Sequence, residues 1–359
     1  MLSDLFENLF VLELANNHWG DVRRGLDIIN QFSSVVHNEG IKASIKLQFR
    51  DVDTFIHKDF TSMTNYRYIA KTLATKMPES DYAKLVDEIR KNKLIAMATP
   101  FDEKSVALCE KFDLDIIKIA SSDINDRILI QTIAETRKPV IVSTGGASLQ
   151  DIEAVVDYFN EQKIPLAINH CVAQYPTEKE NLALAQISFL KALFPNNTIG
   201  FSTHERNDDI ADAMLMAYAA GARTYERHID IPNSQHPVSA YCSLPKDIEV
   251  WVCGWKKAVS MWGKQTSNRR EIPLDETVYL NALVRGVYAK RKLTKGKTLS
   301  LDDVYFAVPV QKGQISCREF DMTEILTADI DADKPLFISD INAAYLTDEK
   351  VALIKNRGL

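Results

Sequence analysis

The chain has 359 residues, 46% of them hydrophobic, enough for one large domain or for a large and a small one, while its formal charge of -6 leaves no basic excess for a general nucleic-acid binder. The five cysteines (Cys109, Cys171, Cys242, Cys253 and Cys317) are odd in number and lack CxxC spacing, so they frame neither a disulfide scaffold nor a zinc knuckle and suit a reducing cytoplasm. No stretch approaches the ~18 apolar residues of a membrane span, and the start MLSDLFENLFVLELANN lacks a basic, then uninterruptedly apolar, leader, so a soluble cytoplasmic protein with no membrane partner is expected.

In chain order, short apolar runs alternate with amphipathic segments, the pattern of a parallel α/β fold. The runs are Phe10–Ala15, Ala43–Phe49, Leu94–Thr99, Leu114–Ala120, Pro139–Ser143, Pro165–His170, Thr198–Ser202 and Ala222–His228. Helices are expected between them, for example Val22–His37, with Leu26, Ile29, Ser33 and Val36 on one face after an Asp21 cap, and Asp208–Ala220. Eight such units in about 260 residues predict a (β/α)8 TIM barrel, whose active site forms where the strands end. A doubly wound sheet is the alternative, weakened because no GxGxxG follows the first run.

Polar residues gather at the carboxyl ends of these runs. The first supplies Glu13, Asn16 and Asn17, the second Lys46, Gln48 and Arg50, and the third Thr99 and Phe101. The fourth gives Lys118, Ser121 and Asp123, the fifth Ser143, and the sixth leads to Tyr175. A lysine inside an apolar strand must meet a polar partner, since burying an unpaired ammonium is costly. Lys46 and Lys118, with hydroxyls at Ser121, Ser143 and Ser202, would cradle a phosphate or carboxylate; equally, each could pair with an internal carboxylate such as Glu13 or Glu226. The last two runs stop on histidines, TIGFSTHE on His204 and TYERHID on His228, a plausible pair of ligands for one divalent metal.

After Trp262 the pattern changes. Residues 263–284 read as a polar linker, 285–347 as a small module of short β segments and turns, and 348–359 as a polar tail.

As a set, ELANNHWGD, KLQ, TPF, KIASSD, IVSTGG, NHCVAQYPT, IGFSTHE and YERHID, in that order, resemble the N-acetylneuraminate (sialic acid) synthase family, and the carboxyl-terminal module looks like that family's antifreeze-like (SAF) domain. The resemblance covers nearly the whole chain. It implies a transferase that condenses phosphoenolpyruvate with an open-chain aldose to a 3-deoxy-2-ulosonic acid, with Mn2+ or Mg2+ as cofactor. Lys46, Gln48, Lys118, Ser121, Ser143 and Ser202 match positions that hold phosphoenolpyruvate, and His204 and His228 match the metal ligands. Glu13, Thr99, Phe101 and Tyr175 match residues on the sugar side, and Glu13 or Asp123 could relay a proton. The family also implies a homodimer that exchanges carboxyl-terminal domains.

Three departures bear on the acceptor sugar. Asp123 stands where the family usually has glutamate, Ser239 falls where a sugar-contacting aspartate is usual, and Val308-Pro309 stands where an arginine precedes proline. Losing that arginine's hydrogen bonds to an N-acetyl carbonyl would weaken binding by about 1.5–3 kcal/mol, so an acceptor other than plain N-acetylmannosamine is expected. Two other functions use the same residues: a metal-dependent pyruvate aldolase, which needs no phosphate cradle, and an inactive homologue that binds glycan or protein.

Overall fold

The computed structural model describes residues 3–263 and 268–358, so residues 264–267 of the expected linker lie outside the described residues. The chain forms two compact units, Met1–Lys264 and Gln265–Leu359. In the first, β1 (Leu9–Ala15), β2 (Ala43–Phe49), β3 (Ile95–Pro100), β4 (Ile116–Ile119), β5 (Val140–Ser143), β6 (Leu166–Cys171), β7 (Thr198–Thr203) and β8 (Thr224–His228) pair in sequence order into a closed barrel. Parallel pairing of β1 with β8, Glu13 opposite His228, closes it. The expected (β/α)8 barrel is the observed one, with strand ends displaced by a residue or two.

Period-two alternation divides each strand between two environments. On β2, Ala43, Ile45, Leu47 and Phe49 join the large core between barrel and helices. Ser44, Lys46 and Gln48 alternate with them toward the interior. At the amino end the interior is apolar: Leu9, Val11, Met97, Ile116 and Ile141 form a separate cluster with Phe6, which the short helix Ser3–Phe6 supplies. Full burial of side chains of this kind is worth about 1.5–3 kcal/mol each, so this layer closes the barrel's floor and leaves the polar positions to the carboxyl end.

One layer up, Thr224 Oγ1 donates to Asn169 Oδ1 at 2.5 Å. Gly200 makes room for that bond, because a Cβ there would lie 1.8 Å from Thr224 Oγ1 and 2.1 Å from Asn169 Oδ1.

The outer helices begin and end on recognisable signals. Asp21 accepts from the Arg23 amide at the start of Val22–Glu39, and Gly40, at φ 64°, ends it in the left-handed conformation. Its buried face runs through Ile28, Ile29, Phe32, Val35 and Val36; Leu26 of the expected face is only half-buried. The connection from β2 to β3 holds an extra helix, Arg67–Ala74, ahead of Glu79–Lys91.

In the second unit, β9 (Gly286–Ala289) pairs antiparallel with β10 (Val304–Ala307), and β11 (Ile325–Leu326) with β12 (Ile341–Asn342). Val287, Leu299, Ile315, Leu326 and Leu336 share its core. The segments read as a polar linker and a polar tail are partly helical: Leu274–Ala282 in the first and Asp348–Asn356 in the second. The tail helix forms because Thr347 caps it and Asp348 and Glu349 occupy its first turn. It is anchored by buried Ile354 and by Arg357, whose two terminal nitrogens donate to Glu319 at 2.6 Å each.

Candidate active site

A cavity of about 520 Å³ opens at the carboxyl end of the barrel. Its floor is a chain of buried charges that successive strands hold side by side. Lys46 on β2 forms an ion pair with Glu13 on β1, donates to Thr99 Oγ1 at 3.1 Å, and lies 3.5 Å from Glu226 on β8. Lys118 on β4 donates to Ser143 Oγ at 2.6 Å and to the Ile119 carbonyl at 3.0 Å, with Glu226 at 4.0 Å. Ser202 donates to Glu226 at 3.2 Å, and Gln48 to Glu13 at 2.8 Å.

These neighbours set the charges. Burial works against the charge on Lys46, but Glu13 and Glu226 outweigh it and hold the ammonium above its ordinary value. Lys118 is pushed down by burial, which Glu226 only partly opposes. The two carboxylates separate: burial raises Glu13 against the pull of Lys46, whereas at Glu226 burial is outweighed by Lys118 and Lys46, which hold it below the usual range. Glu226 is therefore held as the anion between two ammonium groups, and burial makes Glu13 the more easily protonated of the two carboxylates.

His204 and His228 face the same cavity, ring centroids 5.4 Å apart. His204 Nδ1 lies 3.1 Å from the Val172 carbonyl, an acceptor, so that nitrogen carries the hydrogen and Nε2 keeps its lone pair. The His228 ring makes no hydrogen bond among the described residues, while its backbone carbonyl accepts from the Ser243 amide at 2.9 Å. Burial lowers His204 to about 4, and burial with the His204, Lys46 and Lys71 charges lowers His228 well below the ordinary range, so both are neutral. Two neutral imidazoles, one oriented by a carbonyl, have the donor chemistry that could hold a divalent ion. Among the described residues no cluster of three or more His, Cys, Asp or Glu is arranged for a metal.

The structure brings most of the expected site together. Lys46, Gln48, Thr99, Lys118, Ser121, Ser143, Ser202, both histidines and Glu13 all line the cavity. Ser121 Oγ accepts from the Gly145 amide, fixing the turn after β5. Tyr175, though exposed, stacks obliquely 4.2 Å from His204. Asn17 lines the wall while its amide donates to the Ile229 carbonyl at 2.8 Å, so that group also braces the loop after β8. Asp123 is not brought in: it ends the turn Ser121–Asp123 and does not line the cavity, and burial raises its carboxyl. Phe101 contributes mainly as a seat for Arg50, whose guanidinium carbon lies 3.6 Å from the ring centroid.

Glu226, Arg50, Lys71 and Tyr241 are among the further lining residues to which the sequence assigned no substrate or metal role. Glu226 had been placed only as an internal partner, although alternation along TYERH puts Thr224, Glu226 and His228 on one face.

A closed parallel barrel with its polar cavity at the strands' carboxyl ends is the architecture of a (β/α)8-barrel enzyme. The chain belongs to the NeuB family, which matches residues 37–266. The Bacillus subtilis spore coat polysaccharide biosynthesis protein SpsE is 27% identical over 92% of each chain. The Campylobacter jejuni pseudaminic acid synthase is 30% identical over 64% of this chain and 66% of its own. Among solved structures, a Chromobacterium violaceum protein assigned to spore coat polysaccharide biosynthesis superposes with a TM-score of 0.86 at 34% identity, covering 94% of this chain and 100% of that one.

Proposed function

We propose that the chain joins phosphoenolpyruvate to the aldehyde of an open-chain aldose, giving a sialic-acid-like 3-deoxy-2-ulosonic acid and inorganic phosphate for a surface polysaccharide. The observation that carries this reading is the pair of buried lysines, bridged by Glu226, opposite two neutral imidazoles in one cavity. Membership of a family of carbon–carbon bond-forming transferases, with relatives named for pseudaminic acid and for coat polysaccharide, supports it.

In this reading Lys46 and Lys118 take the phosphate and carboxylate of phosphoenolpyruvate, with Ser143 and Ser202 completing the cradle. Carbon 3 of the enol ester attacks the aldehyde, water adds at carbon 2, and phosphate leaves by C–O cleavage. Lys118 already donates to Ser143 before substrate arrives, so the ammonium is oriented toward the anion it stabilises. Glu13 holds or releases the proton that balances the aldehyde's conversion to an alcohol, the role its raised carboxyl suits. His204 and His228 would hold Mn2+ or Mg2+, which supplies Lewis-acid polarisation of the acceptor aldehyde. A homodimer is inferred on the resemblance alone.

The test is phosphate release from phosphoenolpyruvate across a panel of aldoses, paired with thermal shifts. Release that depends on the aldose, and a shift with phosphoenolpyruvate larger than with pyruvate, are expected. A shift with pyruvate alone would move the reading to a pyruvate aldolase, and no release with any acceptor in Mn2+-replete protein would overturn the synthase.

A further inference from the structure

Behind the two histidines, on the helix side of the barrel, lies a polar cluster that does not line the cavity. Alternation sends Ser202, His204, Glu226 and His228 inward and Thr203, Glu205 and Arg227 outward. The preceding outward positions, Ile199, Phe201 and Tyr225, are packed in the large core. The change comes where β7 and β8 reach the histidines. Arg227 and Glu205 are both 0% exposed. The Arg227 Nη1 donates to Glu205 Oε1 at 2.9 Å, and Nη2 to the Glu205 carbonyl at 3.0 Å and to Asn207 Oδ1 at 2.9 Å. Nε donates to Ser243 Oγ, which itself donates to Asn207 Oδ1 at 2.7 Å. One guanidinium thus joins the end of β7, the end of β8 and the chain returning from the loop after β8.

Each histidine is the covalent neighbour of one member of this pair: His204 precedes Glu205 and His228 follows Arg227. The two rings are held unequally. His204 has the Val172 carbonyl as an anchor, whereas the His228 ring has no hydrogen bond among the described residues and takes its place from its backbone. That backbone is tied to the cluster, since the His228 carbonyl accepts from the Ser243 amide at 2.9 Å and the Asp230 amide donates to the Ser243 carbonyl at 3.1 Å. A buried ion pair is often no more stabilising than apolar residues of the same volume, so its directional bonds are what it adds here. Resting on the synthase reading, we propose that Arg227 and Glu205 are positioning residues of the metal centre: their pairing sets the separation of His204 and His228 and, through Ser243, the aim of the His228 ring. Groups behind metal ligands orient them, and losing such a group typically lowers metal affinity by about 10–100-fold. Lysine cannot replace Arg227, because an ammonium lacks the planar fork that reaches Glu205, Asn207 and Ser243 together.

The test titrates Mn2+ into the metal-free full chain, counting free ion by its paramagnetic resonance, and records the visible bands of Co2+ bound in its place. Urea unfolding and the phosphoenolpyruvate affinity of the metal-free chain are measured alongside. One variant is the double replacement Arg227→Met, Glu205→Leu, which leaves no stranded charge; the other, Arg227→Lys, serves if the first does not fold. In either, Mn2+ affinity should fall about tenfold or more, with altered Co2+ bands and phosphoenolpyruvate affinity within about twofold of the wild type. Folded variants that bind Mn2+ as the wild type does overturn the proposal. So does a loss of phosphoenolpyruvate affinity in step with that of Mn2+, which marks a general loosening of the barrel mouth. A wild type that binds phosphoenolpyruvate but no Mn2+ overturns it as well, by removing the metal centre. Mn2+ binding that depends on Arg227, without any phosphoenolpyruvate binding, supports the positioning role and sinks the synthase reading alone.

Discussion

Replacing Glu226 by Gln tests the charge chain most informatively. Glu226 lies 3.5 Å from Lys46 and 4.0 Å from Lys118, and at an effective permittivity near 20 each contact is a gross attraction of about 4 kcal/mol. Most of that is offset by removing the charges from water, so the net effect turns on what remains after the change. Lys46 keeps Glu13, but Lys118 is left with only the Ser143 hydroxyl and the Ile119 carbonyl. Stranding one partner of a buried pair destabilises by about 3–5 kcal/mol. Lys118, already pushed down by burial, can relieve part of that by shedding its proton, so a loss of about 3 kcal/mol in urea unfolding near neutral pH is expected. Saturating phosphoenolpyruvate at 100 times its Kd stabilises any protein that binds it by about 2.7 kcal/mol. Matched concentrations should stabilise Glu226→Gln more than the wild type, because the ligand replaces a missing anion instead of competing with a resident one. A variant within about 0.5 kcal/mol of wild type, or one that phosphoenolpyruvate stabilises less, would refute this account of the site.

Gly200→Ala should lose about 3 kcal/mol in denaturant unfolding, since its Cβ would collide with Thr224 Oγ1 and Asn169 Oδ1 and break their bond; adding Thr224→Ala should recover part of the loss. His18, fully buried with Nε2 unpartnered, is lowered by burial to about 4, below its unfolded value near 6.5. Its stabilisation is thus complete above pH 6.5 and is lost as pH falls toward 4. By pH 5 the loss is about 2 kcal/mol, so His18→Asn, which keeps an acceptor for the Gly20 amide, should flatten the acid limb of the stability profile by that amount. In the second unit, Arg357→Ala strands buried Glu319 and should destabilise by about 3 kcal/mol, read as faster amide exchange around Ser316–Phe320 with the barrel strands unchanged.

Much of the site was legible because a barrel strand has only two faces. Once the apolar alternates of β2 and β4 are assigned to the helix side, Lys46 and Lys118 must point inward, and histidines at the ends of β7 and β8 must share the mouth. What was not legible depends on contacts between distant segments. Arg50 needs Phe101 from the next strand and Tyr68 from the helix Arg67–Ala74, which has no side-chain cap to announce it. Asp123 was assigned from the family resemblance, but the turn Ser121–Asp123 leaves alternation behind and carries it away from the cavity. The tail was read only as polar, whereas Thr347, buried Ile354 and the Arg357–Glu319 pair make it an anchored helix.

The most direct measurement of the central claim is an anomalous difference map from crystals soaked with Mn2+ and phosphoenolpyruvate. The account predicts a manganese peak held by His204 and His228, with enol-ester density against Lys46 and Lys118 in the same cavity. Manganese bound elsewhere, or phosphoenolpyruvate away from both lysines, would contradict it.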